Sequence, residues 1–279
     1  MATNAWVVGR PAPRLRPVVD RYVGYRMAGL APGVHRGLPS GRMTFIVSID
    51  HEIDVVRQTS DAQAPRAYRT ILSGLHAAPA LIGHDGFQQG VAIELTPLGA
   101  RVLFGVPAGA LWDLTLEVEE VAGSVGDELW ERLHHDDTWG ARFATCDDVL
   151  GQLVGDHATA EPVAGSWQML AASHGQVPVA DVARELGWSR QHLTRRFRAE
   201  FGLGPKLAAR ILRFERATRM LQATPSFVSL AEVAASCGYA DQGHLTRDFT
   251  AFAGCPPTRW LQDEEVPNLQ DADAAPVGG

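Results

Sequence analysis

Lysine is almost missing from this chain of 279 residues: Lys206 is the only one, and arginine carries the rest of the positive charge. A GC-rich coding bias is the default reason. Selection for guanidinium groups, which bond in pairs where an ammonium cannot, is the other. Cysteine is scarce, with Cys146, Cys237 and Cys255 alone. None forms a C-x-x-C pair and the count is odd, which argues against a disulfide framework or a zinc knuckle. No apolar run reaches about 18 residues, so no segment reads as a membrane span. The opening "MATNAWVVGRPAPRLRPVV" has short apolar runs broken by Arg and Pro, and does not read as a signal peptide. A cytoplasmic location is expected.

Signatures of common chemistry are also missing. There is no G-x-S-x-G, no Walker loop and no G-x-G-x-x-G. Cys146 precedes Asp147 and Asp148, whose charge raises a thiol pKa and blunts a nucleophile. "HHDDTW" (134–139) and "DHE" (50–52) hold metal-ligand residue types at spacings that match no zinc or calcium motif, and read as turns or a helix end. Neither enzyme activity nor a cofactor nor a metal is expected.

What is present is a segregated charge. The net charge of −7 alone argues against a nucleic-acid binder. Yet residues 1–165 hold 13 basic and 20 acidic residues, while residues 166–262 hold 12 and 7. The last stretch, 263–279, has five acids and no base. An acidic body carries a basic module and an acidic tail, and this asymmetry says more than the total.

Periodicity divides the chain in the same places. "LRPVVDRYVGYRM" has apolar residues near helical spacing and predicts a short helix. "MTFIVSID", "AYRTILSGLH", "PALIGHD" and "QGVAIELTP" predict strands, punctuated by Gly and Pro. "PLGARVLFG" and "PAGALWDLTLEV" predict short helices, and "GDELWERLHH" and "ARFATCDDVLGQLV" longer ones. Residues 1–155 are thus an α+β domain, strands followed by helices. Residues 156–165 read as a linker and 166–262 as an all-α domain. Residues 263–279 lack the apolar content to fold and read as a disordered tail.

The all-α domain repeats itself. "GWSRQHLTRRF" (187–197) and "GYADQGHLTRDF" (238–249) share Gly, an aromatic, a polar starter and His-Leu-Thr-Arg-x-Phe. One structural unit is used twice. Each copy predicts a short helix, a glycine turn and a second helix. Gly187 suits a left-handed cap, and Ser189 and Asp241 suit N-caps. In the second helix Leu193, Phe197 and Phe201 form one apolar stripe. The opposite face carries Arg190, Gln191, Thr194, Arg195 and Arg198, side chain types that read base edges. A solvated amphipathic helix explains either copy alone; the repeat, the caps and the local charge together favour DNA binding. Between the copies, "PKLAARILRFERATRMLQAT" predicts a helix of about 18 residues, roughly 27 Å long. That suffices to set two recognition helices about one DNA turn, ~34 Å, apart. The helix starts at Lys206 and Thr258 offer phosphate contacts.

"SLAEVAASCGYADQGHLTRDFTAFAGCPPTRW" resembles the signature of the AraC/XylS family of bacterial transcription regulators. The resemblance covers about residues 166–262. It implies two helix-turn-helix units joined by a long helix, binding double-stranded promoter DNA, with RNA polymerase a further partner. It places Gln191, Thr194 and Arg195 at base-reading positions of the first unit, and Gln242, Gly243 and Arg247 at those of the second. Gly243 stands where a contacting side chain is common, and Asp248 beside Arg247 is expected to repel phosphate, so the first unit is expected to dominate. His244, like His192, reads as packing or touching phosphate. "GVAIELTPLGARVLFGVPAGALWDLTLEVEEVAG" is similar to sensor domains of family members that bind a small effector, form a homodimer, or both. Tyr22, Tyr25, Phe45, Tyr68 and Phe87 read by default as core, with an effector pocket the alternative. Glu94 and Arg42 read as a surface pair, with a pocket wall the alternative.

Overall fold

A computed structural model describes residues 4–223 and 229–263. The N-terminal half is a two-sheet sandwich. Strands β1 (Ala5–Gly9), β2 (Val19–Ala28), β3 (Gly33–Gly37), β4 (Met43–Ser48), β5 (Ile53–Arg57), β6 (Arg66–Tyr68), β7 (Thr70–Ser73), β8 (Ala80–His84) and β9 (Phe87–Leu95) come first. Helix α1 (Gly99–Phe104), a 3-10 turn (Ala108–Leu111) and strand β10 (Thr115–Glu117) follow. One sheet runs β1-β2-β9-β4-β7-β10 and the other β3-β8-β5-β6, with every described pairing antiparallel.

The six-stranded sheet is buried on both faces. Val23, Tyr25, Ile46 and Ile71 face the smaller sheet, in a cluster with Ile53, Val55 and Tyr68. Tyr22, Phe45, Val47 and Ile93 face the other way, onto α3 (Val125–His135) and α4 (Trp139–Leu153), which follow the short α2 (Glu119–Ala122). This double burial explains why the helix expected in "LRPVVDRYVGYRM" is instead strand β2. A strand covered on both sides loses its apolar-polar alternation, and the apolar positions then mimic another period. The short helix expected in "PAGALWDLTLEV" is also corrected. Asp113 takes a positive φ of 59° and ends the 3-10 turn, so the chain continues as β10, paired with β7.

The C-terminal half is helical: α5 (Glu161–Ala172), α6 (Val179–Glu185), α7 (Arg190–Phe201), α8 (Pro205–Ala223), α9 (Leu230–Ser236), α10 (Gln242–Ala253) and α11 (Pro257–Asp263). Helix α5 begins inside the stretch assigned to a linker. Pro162 suits its first turn, and Val163 and Ala164 are already buried, which anchors the start. The acidic tail expected over 263–279 lies outside the described residues, apart from Asp263 at the end of α11. One hydrophobic core runs from the helix-covered face of the large sheet into the helical half. No helix among the described residues is long and apolar enough to cross a membrane.

Candidate nucleic-acid interface

The two copies of the repeat fold alike, down to single hydrogen bonds. Gly187 and Gly238 both take positive φ, 66° and 76°, and turn the chain between their two helices. Across each turn an aromatic amide closes the preceding helix: Trp188 N–H donates to the Ala183 carbonyl at 2.8 Å, and Tyr239 N–H to that of Ala234 at 2.9 Å. Each second helix is then capped by the predicted residue. Ser189 Oγ accepts from His192 N–H at 3.2 Å, and Asp241 Oδ1 from His244 N–H at 2.6 Å. Such a cap contributes about 1 kcal/mol by satisfying an otherwise orphaned amide. The histidine rings then turn edge-on to the aromatics, His192 against Trp188 at 4.6 Å and His244 against Tyr239 at 5.2 Å.

Burial orients both helices. Leu193, Phe197 and Phe201 are fully buried in α7, and Leu245 and Phe249 in α10. Each such side chain contributes about 1.5–3 kcal/mol relative to exposure, so the opposite faces are forced outward. Ser189, Arg190, Gln191, Arg195 and Arg198 are exposed and Thr194 is half-buried. Gln242, Gly243 and Arg247 are exposed on α10, with His244 half-buried; Lys206 and Thr258 are exposed at the starts of α8 and α11. Two of these groups are partly engaged already. Thr194 Oγ1 donates to the Arg190 carbonyl at 2.8 Å, and Arg195 Nη2 lies 3.3 Å from His192 Nδ1.

Asp248 does not face outward with Arg247. It is buried and accepts from Arg210 of α8, whose Nη2 lies 2.8 Å from Oδ1. The same guanidinium sits 5.1 Å from the Phe252 ring centre. The phosphate repulsion expected of Asp248 is therefore corrected. One residue step along the helix turns position 248 about 100° from 247, which puts it on the inner side.

Helix α8 carries both units. Its 19 residues span about 28 Å. Helices α5, α7, α9 and α10 surround it, so even Glu215 and Thr218 are buried. The N-terminal half grips the module at two places that the sequence reading missed. On α7, Glu200 accepts Arg101 Nε and Nη2 at 2.7 and 2.9 Å, and Thr159 Oγ1 at 2.9 Å. On α8, Glu215 Oε2 accepts Gly41 N–H at 3.0 Å, and Oε1 takes the Arg42 guanidinium and that of Arg219. The Arg101, Gly41 and Arg42 contacts join residues about a hundred or more positions apart, so no local pattern announces them.

Arg42 also reaches Glu94, at 3.2 Å, and Asp20. Burial opposes the Arg42 charge, but Glu215, Glu94 and Asp20 together hold its pKa above the usual guanidinium range. The expected Arg42–Glu94 pair thus exists, but it is not a surface pair. Glu94 is 1% exposed and also accepts both Nε and Nη2 of Arg21 at 3.0 Å. Burial pushes its carboxyl upward while Arg21 and Arg42 pull it back. Both its oxygens accept guanidinium N–H groups, the role of a carboxylate. On its other side Glu94 lines a cavity of about 90 Å³ between the two sheets. Of the five aromatics weighed from sequence, Tyr25 lines it; Tyr22 and Phe45 belong to the core. Burial, then the charge of Asp147, holds the Cys146 thiol far above its usual pKa.

Comparison with known proteins agrees with this geometry. Residues 182–263 match the family described as "Helix-turn-helix domain", and residues 8–117 match a "Domain of unknown function (DUF6597)". No curated protein sequence matches the chain. Among solved structures, ToxT from Vibrio cholerae O395 is similar at 14% identity and a TM-score of 0.50, over 86% of this chain and 96% of that one. A 1.65 Å structure of Vibrio cholerae ToxT is similar at 12% identity and a TM-score of 0.51, over 88% and 98%. ToxT of strain O395 bound to (E)-4-(8-methylnaphthalen-1-yl)but-3-enoic acid is similar at 13% and 0.50, over 92% and 98%. At such identities the likeness establishes a shared two-domain fold.

Proposed function

We propose that the chain is a regulator of the AraC/XylS type, a reading that its helix-turn-helix domain and its fold support, and that it reads two adjacent major-groove segments of promoter DNA under the control of its N-terminal sandwich. The carrying observation is the duplicated cap, turn and buried stripe on one rigid helix, with both outer faces exposed. In this reading Gln191, Thr194 and Arg195 meet base edges in one segment, and Gln242 and Arg247 in the next, where Gly243 lets the backbone approach. Ser189, Arg190, Arg198, Lys206, His244 and Thr258 hold phosphates. RNA polymerase is the natural further partner of a regulator at a promoter.

The sandwich acts as a sensor of a small molecule. A domain built for pairing alone would gain by closing the space between its sheets, because empty volume forfeits contacts; here about 90 Å³ stays open. A structure of similar fold is described with a small aryl acid bound, which supports the same use. Pairing of two chains through this domain is compatible with sensing.

A footprint of the purified protein on the region upstream of its own gene tests the reading. Two protected major-groove segments about 10 base pairs apart are expected. Arg195→Ala is expected to cost about 1–3 kcal/mol and to relax preference at one base. A single protected segment, or equal weakening by Arg195→Ala on every sequence, would sink base reading by both units.

A further inference from the structure

The cavity between the sheets has two unlike ends, and strand register shows why. Arg21 pairs with Glu94, Glu94 with Thr44, Thr44 with Ser73, and Ser73 with Thr115. Directly paired residues point to one face of a sheet. These five side chains therefore form a polar rung across β2, β9, β4, β7 and β10. Glu94, Thr44, Ser73 and Thr115 all line the cavity. The next rung, two residues along, is apolar on four strands, with Val23, Ala92, Ile46 and Ile71; on β10 it ends at Glu117, which accepts from the Arg69 and Thr70 amides and does not line the cavity. The smaller sheet adds Ile53, Val55 and Ile82 to that apolar end. Arg21 and Arg42 stand beside Glu94 and do not line the cavity, so on this rung the cavity meets a carboxylate and three hydroxyls; His76 and Gln88 also line it, and His35 and Arg36 do so from the smaller sheet.

We propose that this cavity takes a small amphipathic amine, with a ring-sized apolar body between the sheets and a protonated nitrogen on the rung beside Glu94. A hydroxyl accepts as well as donates, and a carboxylate only accepts, so a head that takes the place of Arg42 at Glu94 must donate. The body is small, because an apolar cavity of about 150 Å³ is what holds a benzene ring. Met27, on the cavity wall, is unbranched and can give way to admit one. The proposal rests on the sensor reading of this domain and adds a route. An ammonium at Glu94 competes with Arg42, whose remaining partners are Asp20 and Glu215. Occupancy of the cavity is thereby linked to the seat of α8, the helix that spaces the two DNA-reading units.

The test titrates the full chain at pH 7 with benzylamine, benzyl alcohol and benzoate, followed by calorimetry and by the fluorescence of Trp6 at the cavity wall. Benzylamine is expected to bind at least tenfold tighter than benzoate, and Glu94→Gln to reduce that preference below threefold. Thr44→Val leaves no buried charge unpaired and is expected to weaken benzylamine severalfold with the fold intact. It decides the matter if Glu94→Gln does not fold. Tighter binding of benzoate would place the head against Arg36, which lines the cavity from the facing sheet, and would overturn the proposal. Equal binding of the three compounds, or binding of none, would overturn it as well. Promoter affinity is measured on the same samples. A bound amine that leaves promoter affinity unchanged would sink the sensor reading and the Arg42 link, while the ligand class stands.

Discussion

Asp248 follows Arg247 directly, and from position alone its charge looks set against phosphate. Its burial and its bond to Arg210 say otherwise. Asp248→Asn keeps the shape and removes the charge, so it separates the two roles. The pair is worth about 1–3 kcal/mol as a charged hydrogen bond, but Arg210 is 40% exposed, and screening trims the expected loss to about 1 kcal/mol. A thermal melt should show that loss. DNA affinity of the folded protein, read by anisotropy on a promoter fragment, should stay within about twofold because the charge is compensated inside the protein. Severalfold tighter binding by Asp248→Asn would return the carboxylate to the DNA side. The expectation of unequal halves then rests on the exposed arginines alone. Helix α7 exposes Arg190, Arg195, Arg196 and Arg198, while α10 exposes Arg247.

Elements differed in how plainly the sequence announced them. A helix-turn-helix unit is local: cap, glycine and stripe lie within some twenty residues, and Ser189, Gly187 and the Leu193–Phe197–Phe201 stripe all stand where the repeat predicted. Strand β2 was misread because burial on both faces hid its alternation. The Glu94 rung was illegible because it needs five strands, spread over almost a hundred residues, to meet in register. The joint between the halves was hidden for the same reason, and it rests partly on glycine. At Gly109, in the 3-10 turn, a Cβ would stand 2.7 Å from the Gly202 amide nitrogen and 3.3 Å from the Ala199 carbonyl. Both are backbone atoms of the α7 end, which cannot swing aside as a side chain can. Gly109→Ala is expected to cost about 1–3 kcal/mol as overpacking, and in calorimetry to lower the transition of the joint first. Gly140→Ala, with no neighbour near its Cβ and a helical backbone, is expected to be neutral or to stabilise by about 0.5–1 kcal/mol. Equal melting of the two variants would show that the joint is not so tightly packed.

At the scale of the whole molecule, acid acts on histidines that folding holds neutral in both halves. Burial, then the charge of His84, lowers His35 to about 4. Burial lowers His76 against the pull of the Ala78 carbonyl and Asp113. Burial, then Arg216 and Arg219, lowers His174 near the DNA-binding module. A histidine lowered by folding is held neutral in the native state, and the unfolded chain takes the proton first. Its share of stability is complete above the free value of about 6.5 and is lost as pH falls toward the folded value, by up to about 1.4 kcal/mol per pH unit. Glu94 works in the opposite sense, since its raised carboxyl takes a proton more readily in the folded state. Glu94 thus counts against the histidines, one group against three. The melting temperature is therefore expected to fall steadily from pH 7 to pH 5. His35→Gln removes the histidine that folding lowers to about 4 and should flatten that fall. His35 lines the cavity, and its ring lies 5.7 Å from that of His84 on the paired strand. Loss of its share therefore marks opening of the sandwich and not of the helical half. An undiminished slope in His35→Gln would move the acid sensitivity to His76, or to His174 and the arginines around it.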